Sequence, residues 1–202
     1  MNRSMRYAQI RSMDLSDGEG VGIALFVQGC HFHCPSCFNQ DTWDFNGGKE
    51  WTEKNKETFL KLADKPYIKR ISFLGGECLE YENINGIYNL MKDVKKLFPD
   101  KKIWMYTGYT WEHIFHNEGE KKLKKMYYSG QIPGLSLNGE ILESLKLQKK
   151  RKEIVKMTDI LIDGQYIHEQ RDMNLKFRGS KNQRVIDVKE SLKQGKIILY
   201  LD

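Results

Sequence analysis

The sequence predicts an α/β fold with a mainly parallel sheet, and three observations carry that expectation. Short apolar, β-branched runs alternate with longer stretches whose apolar residues recur at helical spacing. The ends of the runs carry glycine, cysteine or aspartate–glycine turns. The 202 residues are 40% hydrophobic and 30% charged, without internal repeats or a convincing linker, so one domain spanning 1–202 is expected.

Taken in order, "VGIALFV" (Val21–Val27) reads as a buried strand that feeds a cysteine-rich loop. "TEKNKETFLKLADK" (Thr52–Lys65) reads as a helix ended by Pro66. "IKRISFLGG" (Ile68–Gly76) is a strand that stops at a glycine pair. Asn83–Phe98 places Ile84, Ile87, Tyr88, Met91, Val94 and Phe98 on one helical face, and Pro99 closes it. "IWMY" (Ile103–Tyr106) is the next strand, followed by the turn "TGYT". Helical segments fill most of Trp111–Met157, with a break near Ser129–Gly134. "DILID" (Asp159–Asp163) is a late strand ending in Asp163–Gly164. In a parallel sheet, ligands bind beyond the carboxyl ends of the strands. Those ends carry Cys30–Cys37, Gly75–Glu77, Thr107–Tyr109 and Asp163–Gly164, so an active site is expected on that rim.

The net charge of +6 has one source. Gly119–Met157 holds ten Lys or Arg against four Glu, an excess that equals the net charge of the whole chain. Its runs "KKLKK" (Lys121–Lys125) and "KKRK" (Lys149–Lys152) alternate with Leu, Ile and Met, which reads as solvated helix faces, with a docking patch for an acidic partner as the alternative. Aromatic residues do not interleave there, so a nucleic-acid platform is not expected. The amino-terminal stretch lacks the apolar core of a signal peptide, and Val21–Val27 is too short to span a bilayer. The expectation is a cytoplasmic protein with no membrane and no nucleic-acid partner. Clustered cysteines in such a compartment read as metal ligands or redox groups.

Three of the four cysteines, Cys30, Cys34 and Cys37, have a C-x3-C-x2-C spacing. Three thiolates can hold three irons of a cubane and leave the fourth open, as a reactive metal site requires. Zinc with His31 or His33 as fourth ligand, in a non-enzymatic interaction module, is the competing reading, and burial of unligated cysteines a further one. His31 and His33 are otherwise loop residues, with Trp43 and Phe45 packing the loop and excluding solvent.

A cysteine loop of this spacing after a strand, with "LGGE" (Leu74–Glu77) after the next, resembles the radical S-adenosylmethionine family. The resemblance implies an incomplete parallel β/α barrel and a 4Fe–4S cluster on Cys30, Cys34 and Cys37. It also implies S-adenosylmethionine chelated to the open iron and cleaved by one electron to a 5′-deoxyadenosyl radical. Gly75 and Gly76 would let backbone approach that cofactor, and Glu77 would accept hydrogen bonds from its ammonium. Thr107 and Tyr109 are candidates for the adenosine site. Arg178 would pair either with a cofactor carboxylate or with an acidic side chain.

Within that family, Ile103–Ile114, Ile160–Tyr166 and Phe177–Asp187 are similar to the activators of anaerobic class III ribonucleotide reductase. Arg178-Gly179-Ser180 with Asn182-Gln183 is the most specific block. The implied activity is hydrogen abstraction from a glycine Cα of the reductase, with an electron donor such as flavodoxin or ferredoxin. Phe38–Thr52 equally resembles the activators of pyruvate formate-lyase, the alternative partner. Ser36 before the third cysteine favours the reductase. Cys78 departs from the reductase activators, which commonly carry proline there; it is expected to be a packing thiol near the cofactor.

Overall fold

The computed structural model describes residues 4–116 and 135–201. One eight-stranded sheet runs through them in the order β3-β1-β2-β4-β5-β6-β7-β8. The strands are β1 (Arg6–Asp14), β2 (Gly22–Val27), β3 (Lys49–Glu50), β4 (Arg70–Gly75), β5 (Lys102–Thr107), β6 (Ile160–Asp163), β7 (Arg184–Asp187) and β8 (Leu199–Leu201). The central four, β2, β4, β5 and β6, are parallel. β1 and β3 on one flank, and β7 and β8 on the other, pair antiparallel. The sheet is therefore mixed, which corrects the expectation of a mainly parallel one. The central strands match the apolar runs because a parallel strand buried on both faces must be apolar throughout: every residue of β2 is buried.

Among the described residues five α-helices pack on this sheet: α1 (Glu53–Ala63), α2 (Tyr81–Leu97), α3 (Trp111–Phe115), α4 (Leu135–Met157) and α5 (Val188–Gln194). Local chemistry sets their starts. Thr52 caps α1 in a reciprocal capping box with Asn55. Asp187 caps α5 through the Glu190 N–H at 2.9 Å, and Gly195, at φ +66°, ends it. Lys121–Lys125 and the break near Ser129–Gly134 lie outside the described residues.

Side chains alternate across the sheet with period two. Ile23, Leu25, Val27, Ile71, Phe73, Ile103, Met105, Leu161 and Ile186 join one core with Phe59 of α1, the apolar face of α2, Ile114 of α3, Ile154 and Val155 of α4 and Val188 of α5. All five helices thus serve one face. The other face presents Phe26, Leu74, Trp104, Tyr106 and Val185. Loops cover it: buried Arg70 donates to Asp14 at 2.6 Å and to Ser72 at 2.6 Å, and so pins the segment after β1 across it. Among the described residues loops rather than helices close this face, which leaves room for a ligand.

Lys149–Lys152 is not the wholly solvated face expected from its charge. Lys149 is exposed, but Arg151 is buried at 8% exposure and Lys150 bonds Asn85 of α2.

Candidate active site on the strand rim

The four parallel strands end at Val27, Gly75, Thr107 and Asp163, and the loops leaving these ends meet on one rim. After β2 the chain must turn sharply to bring three cysteines round. Gly29, at φ +99°, makes the first bend, where a Cβ would fall 2.1 Å from the Phe45 ring. His33 (φ 45°) and Ser36 (φ 58°) then adopt the left-handed region, which curls the loop. His33 stacks on Trp43 at 4.6 Å, and His31 meets Phe45 at 4.4 Å. These rings hold the loop as expected.

The loop's curl places Cys30, Cys34 and Cys37 on the wall of one cavity of about 570 Å³. Gly75, Gly76, Glu77, Thr107 and Arg178 line the same cavity. Burial, reinforced by the charge of Glu77, pushes the Cys30 thiol up to about 12, and burial also raises Cys34. Ionised thiolates here need a cation to compensate them, and a metal cluster is the group that supplies one. Cys78 is wholly buried in the helix-side core, with its thiol raised well above the ordinary value by burial, and it does not line the cavity.

The glycine pair has a packing reason of its own. A Cβ on Gly75, at φ +103°, would lie 2.8 Å from Phe26 Cα, and one on Gly76 would lie 2.4 Å from the Gly29 carbonyl oxygen. Backbone therefore meets backbone here, and the Glu77 N–H donates to the Gly29 carbonyl at 2.8 Å. Glu77 is 1% exposed. Its Oε1 accepts from the Leu79 N–H at 2.9 Å and the Thr107 hydroxyl at 2.8 Å, and its Oε2 from the Gly108 N–H at 2.7 Å. Burial nevertheless pushes its carboxyl up to about 7, and among the described residues no basic side chain pairs with it. A buried carboxylate facing a cavity without a counter-cation fits a ligand that brings a positive charge.

Arg178 donates through Nη1 to the Gln183 carbonyl at 3.2 Å, while its buried Nε has no partner among the described residues. Tyr109, expected beside Thr107, does not line the cavity; its hydroxyl meets Arg151 and Glu80. Asp163–Gly164 is the expected strand-ending turn, and Asp163 is tied to Arg184. His31, Glu80 and Glu82 group their ligand atoms within 4.8 Å. Those carboxylates stand at the start of α2, where the helix dipole accounts for them.

Sequence reasoning missed Arg11, Asp17 and Tyr166, which line the cavity together with Phe177. Asp17 is raised to about 6, first by burial and then by the charge of Asp14. The turn "DGEG" (Asp17–Gly20) was the available signal. Phe177 holds φ 60°, an outlier for an aromatic residue, with its ring 5.0 Å from Trp104.

Three thiols line one cavity on the rim of an α/β sheet, and the class is that of an iron–sulfur protein: the model of the family described as "4Fe-4S single cluster domain" matches residues 16–134 and 122–186. The relatives are more specific. The anaerobic ribonucleoside-triphosphate reductase-activating protein of Enterobacteria phage T4 is 30% identical over 181 residues, covering 90% of this chain and 93% of the relative. The proteins of the same name from Vibrio cholerae serotype O1 (29% over 181 residues, 89% and 96%) and Escherichia coli strain K12 (28% over 183 residues, 90% and 97%) are similar throughout. The chain belongs to the 4Fe–4S single cluster domain family and, within it, to the anaerobic ribonucleoside-triphosphate reductase-activating proteins. The iron–sulfur reading is the one these matches carry, over the zinc alternative, and the relatives name the reductase rather than the lyase. No helix among the described residues is long and apolar enough to cross a membrane.

Proposed function

We propose that the chain is a radical S-adenosylmethionine activase that generates a glycyl radical on anaerobic ribonucleotide reductase. The observation that carries the reading is one cavity lined by three thiols and by a buried carboxylate without a counter-cation among the described residues. Cys30, Cys34 and Cys37 hold the 4Fe–4S cluster, leaving one iron for the cofactor. Glu77 accepts the cofactor's ammonium, beside Gly75, Gly76 and Thr107. Arg178, whose Nε meets no acceptor among the described residues, takes a cofactor carboxylate. Tyr109 supports this wall from behind. When bound, the pair supplies one-electron cleavage of the sulfonium and a radical that removes hydrogen from a glycine Cα.

The protein's own groups orient the cofactor, and Phe26, Leu74, Tyr106 and Phe177 exclude water from it. The sheet order has two free ends, β3 and β8, which suits an incomplete barrel open to a partner's loop. One domain carries this site, in the cytoplasm, with a donor such as flavodoxin or ferredoxin. Anaerobically reconstituted protein, reduced in the presence of S-adenosylmethionine, is expected to yield 5′-deoxyadenosine and a glycyl-radical resonance on the reductase. Cys→Ala at position 30, 34 or 37 should abolish cluster loading, and Cys78→Ala should retain it. Radical formation on a pyruvate formate-lyase and not on the reductase would overturn the partner. Turnover of a small molecule with neither radical would overturn the activase reading.

A further inference from the structure

The basic stretch expected to be a solvated face hides an inward-facing anchor. Arg151 lies in α4, on the helix side of the sheet, yet its guanidinium reaches the rim. Its Nε donates to the Leu79 carbonyl at 2.9 Å, just past Glu77. Its Nη2 donates to the Tyr109 hydroxyl at 2.7 Å, just past Thr107, and the guanidinium carbon sits 4.1 Å from the centre of that ring. One turn earlier, buried Gln148 donates through Nε2 to the carbonyls of His113 at 2.7 Å and Ile114 at 2.8 Å, at the end of α3. One turn of α4 therefore ties together the connections that leave β4 and β5. Burying a guanidinium is costly unless its donors are met, and here neutral acceptors meet them.

The ties continue into the cysteine loop. Tyr109 passes the contact on in two ways. Its ring meets Phe32 edge-on at 4.9 Å, and Phe32 lies between Cys30 and Cys34. Phe32 rests so closely on Gly108 that a Cβ there would fall 2.5 Å from the ring. The Tyr109 hydroxyl also donates to Glu80 at 3.4 Å, and Glu80 faces His31 Nδ1 at 3.4 Å. Arg151, Tyr109, and then Phe32 and Glu80–His31 thus form a chain of contacts from α4 to the residues beside two of the three thiols.

We propose that Arg151 is a positioning residue for the cysteine loop: acting through Tyr109, it fixes Phe32 and His31 and so sets where Cys30 and Cys34 point. This rests on the reading of that loop as the cluster site. Hydrogen exchange on the full-length, metal-free protein tests the inference without relying on that reading. Arg151→Met is expected to speed exchange of the cysteine loop's hydrogen-bonded amides, Cys30 (to the Trp43 carbonyl) and Cys37 (to the Cys34 carbonyl), by about tenfold or more while β6 and β7 keep the parental rate. Tyr109→Phe removes only the shared hydroxyl. It should give a smaller change in the same residues, and combining it with Arg151→Met should add almost nothing, the signature of one shared pathway. If Arg151→Met fails to fold, Tyr109→Phe carries the test alone. In reconstituted protein, both variants should alter the line shape of the reduced cluster's electron resonance. The proposal falls if exchange rises evenly across the sheet, if the Cys30 and Cys37 amides keep the parental rate, or if the two substitutions add independently. If the exchange pattern is seen but the parent protein takes up no iron, the coupling stands and the cluster reading fails.

Discussion

The ends of β4 and β6 each bury a carboxylate on the same rim, and their surroundings differ in one respect. Asp163 at the end of β6 is wholly buried and accepts the Trp111 N–H at 2.7 Å, which seats α3. It is also gripped by Arg184, whose Nε donates to Oδ1 at 2.9 Å and whose Nη2 reaches Oδ2. Arg184 in turn holds Glu112 through two bonds, at 3.0 and 2.8 Å. Glu77 beyond β4 accepts three neutral donors, but among the described residues no guanidinium or ammonium pairs with it, and its carboxyl is pushed up to about 7. The chain supplies a counter-cation at one strand end and, among the described residues, none at the other, which is the contrast the proposed cofactor role of Glu77 rests on. The paired Asp163 holds the fold together.

The largest effect that would sharpen this contrast is at β6. Asp163→Asn leaves Arg184 with half its partners and weakens the seat of α3. Urea unfolding should show a loss of about 2–3 kcal/mol, below the full cost of breaking a wholly buried pair because Arg184 keeps Glu112. Next comes β4. Glu77→Gln should change unfolding by no more than about 1 kcal/mol, since a buried uncompensated charge disappears as a hydrogen bond to Gly108 is spoiled. Its affinity for S-adenosylmethionine, measured on reconstituted protein, should fall by about 10- to 100-fold, the worth of a charge-assisted bond. Similar unfolding losses in the two variants, with cofactor affinity intact in Glu77→Gln, would erase the distinction.

How much of this was legible in the sequence depends on the range over which each signal acts. The cysteine spacing and the glycine pair are local, and both stand where the sequence put them. The central strands announced themselves because burial on both faces demands continuous apolar runs. β1 escaped notice because its outward residues are polar: "RYAQIRSMD" alternates only loosely, and most of it is exposed or half-buried. β8 holds three residues, too few for a period to register, and β7, "RVID", buries only its middle two, unlike the wholly buried β6 of the same length. Lys149–Lys152 gave four cations in a row, and a helix turns about 100° per residue, so one of them must face inward. Which one does so depends on where α4 sits over the sheet, and no local pattern encodes that. The same holds for Tyr109, close to Thr107 in sequence but turned to the other side of the rim. Asp163 and Glu77 looked alike as strand-end acids; only the fold brings Arg184 to one and not the other.

The smallest effect concerns the outer half of the β6 clamp and separates charge from packing. The Arg184 guanidinium beside Glu112 holds that carboxyl down to about 2, well below its ordinary 4.5. The folded state therefore releases this proton more readily than the unfolded chain does. The resulting stabilisation is complete above about pH 4.5 and is lost as the pH falls through 4.5 toward 2. Because the Glu112 side chain is 53% exposed, solvent screens the pair and its worth is about 0.5–1 kcal/mol. Urea unfolding of metal-free protein should find Glu112→Gln less stable than the parent by that amount at pH 6, a difference that shrinks steadily below pH 4.5 and nears zero at pH 2. High salt should shrink it too. Asp163 keeps its own bonds to Arg184 in this variant, so the seat of α3 is preserved and the test isolates the exposed arm of the clamp. A deficit that persists unchanged at pH 2 would mean that Glu112 acts by packing, and that only Asp163 makes the end of β6 differ electrostatically from the end of β4.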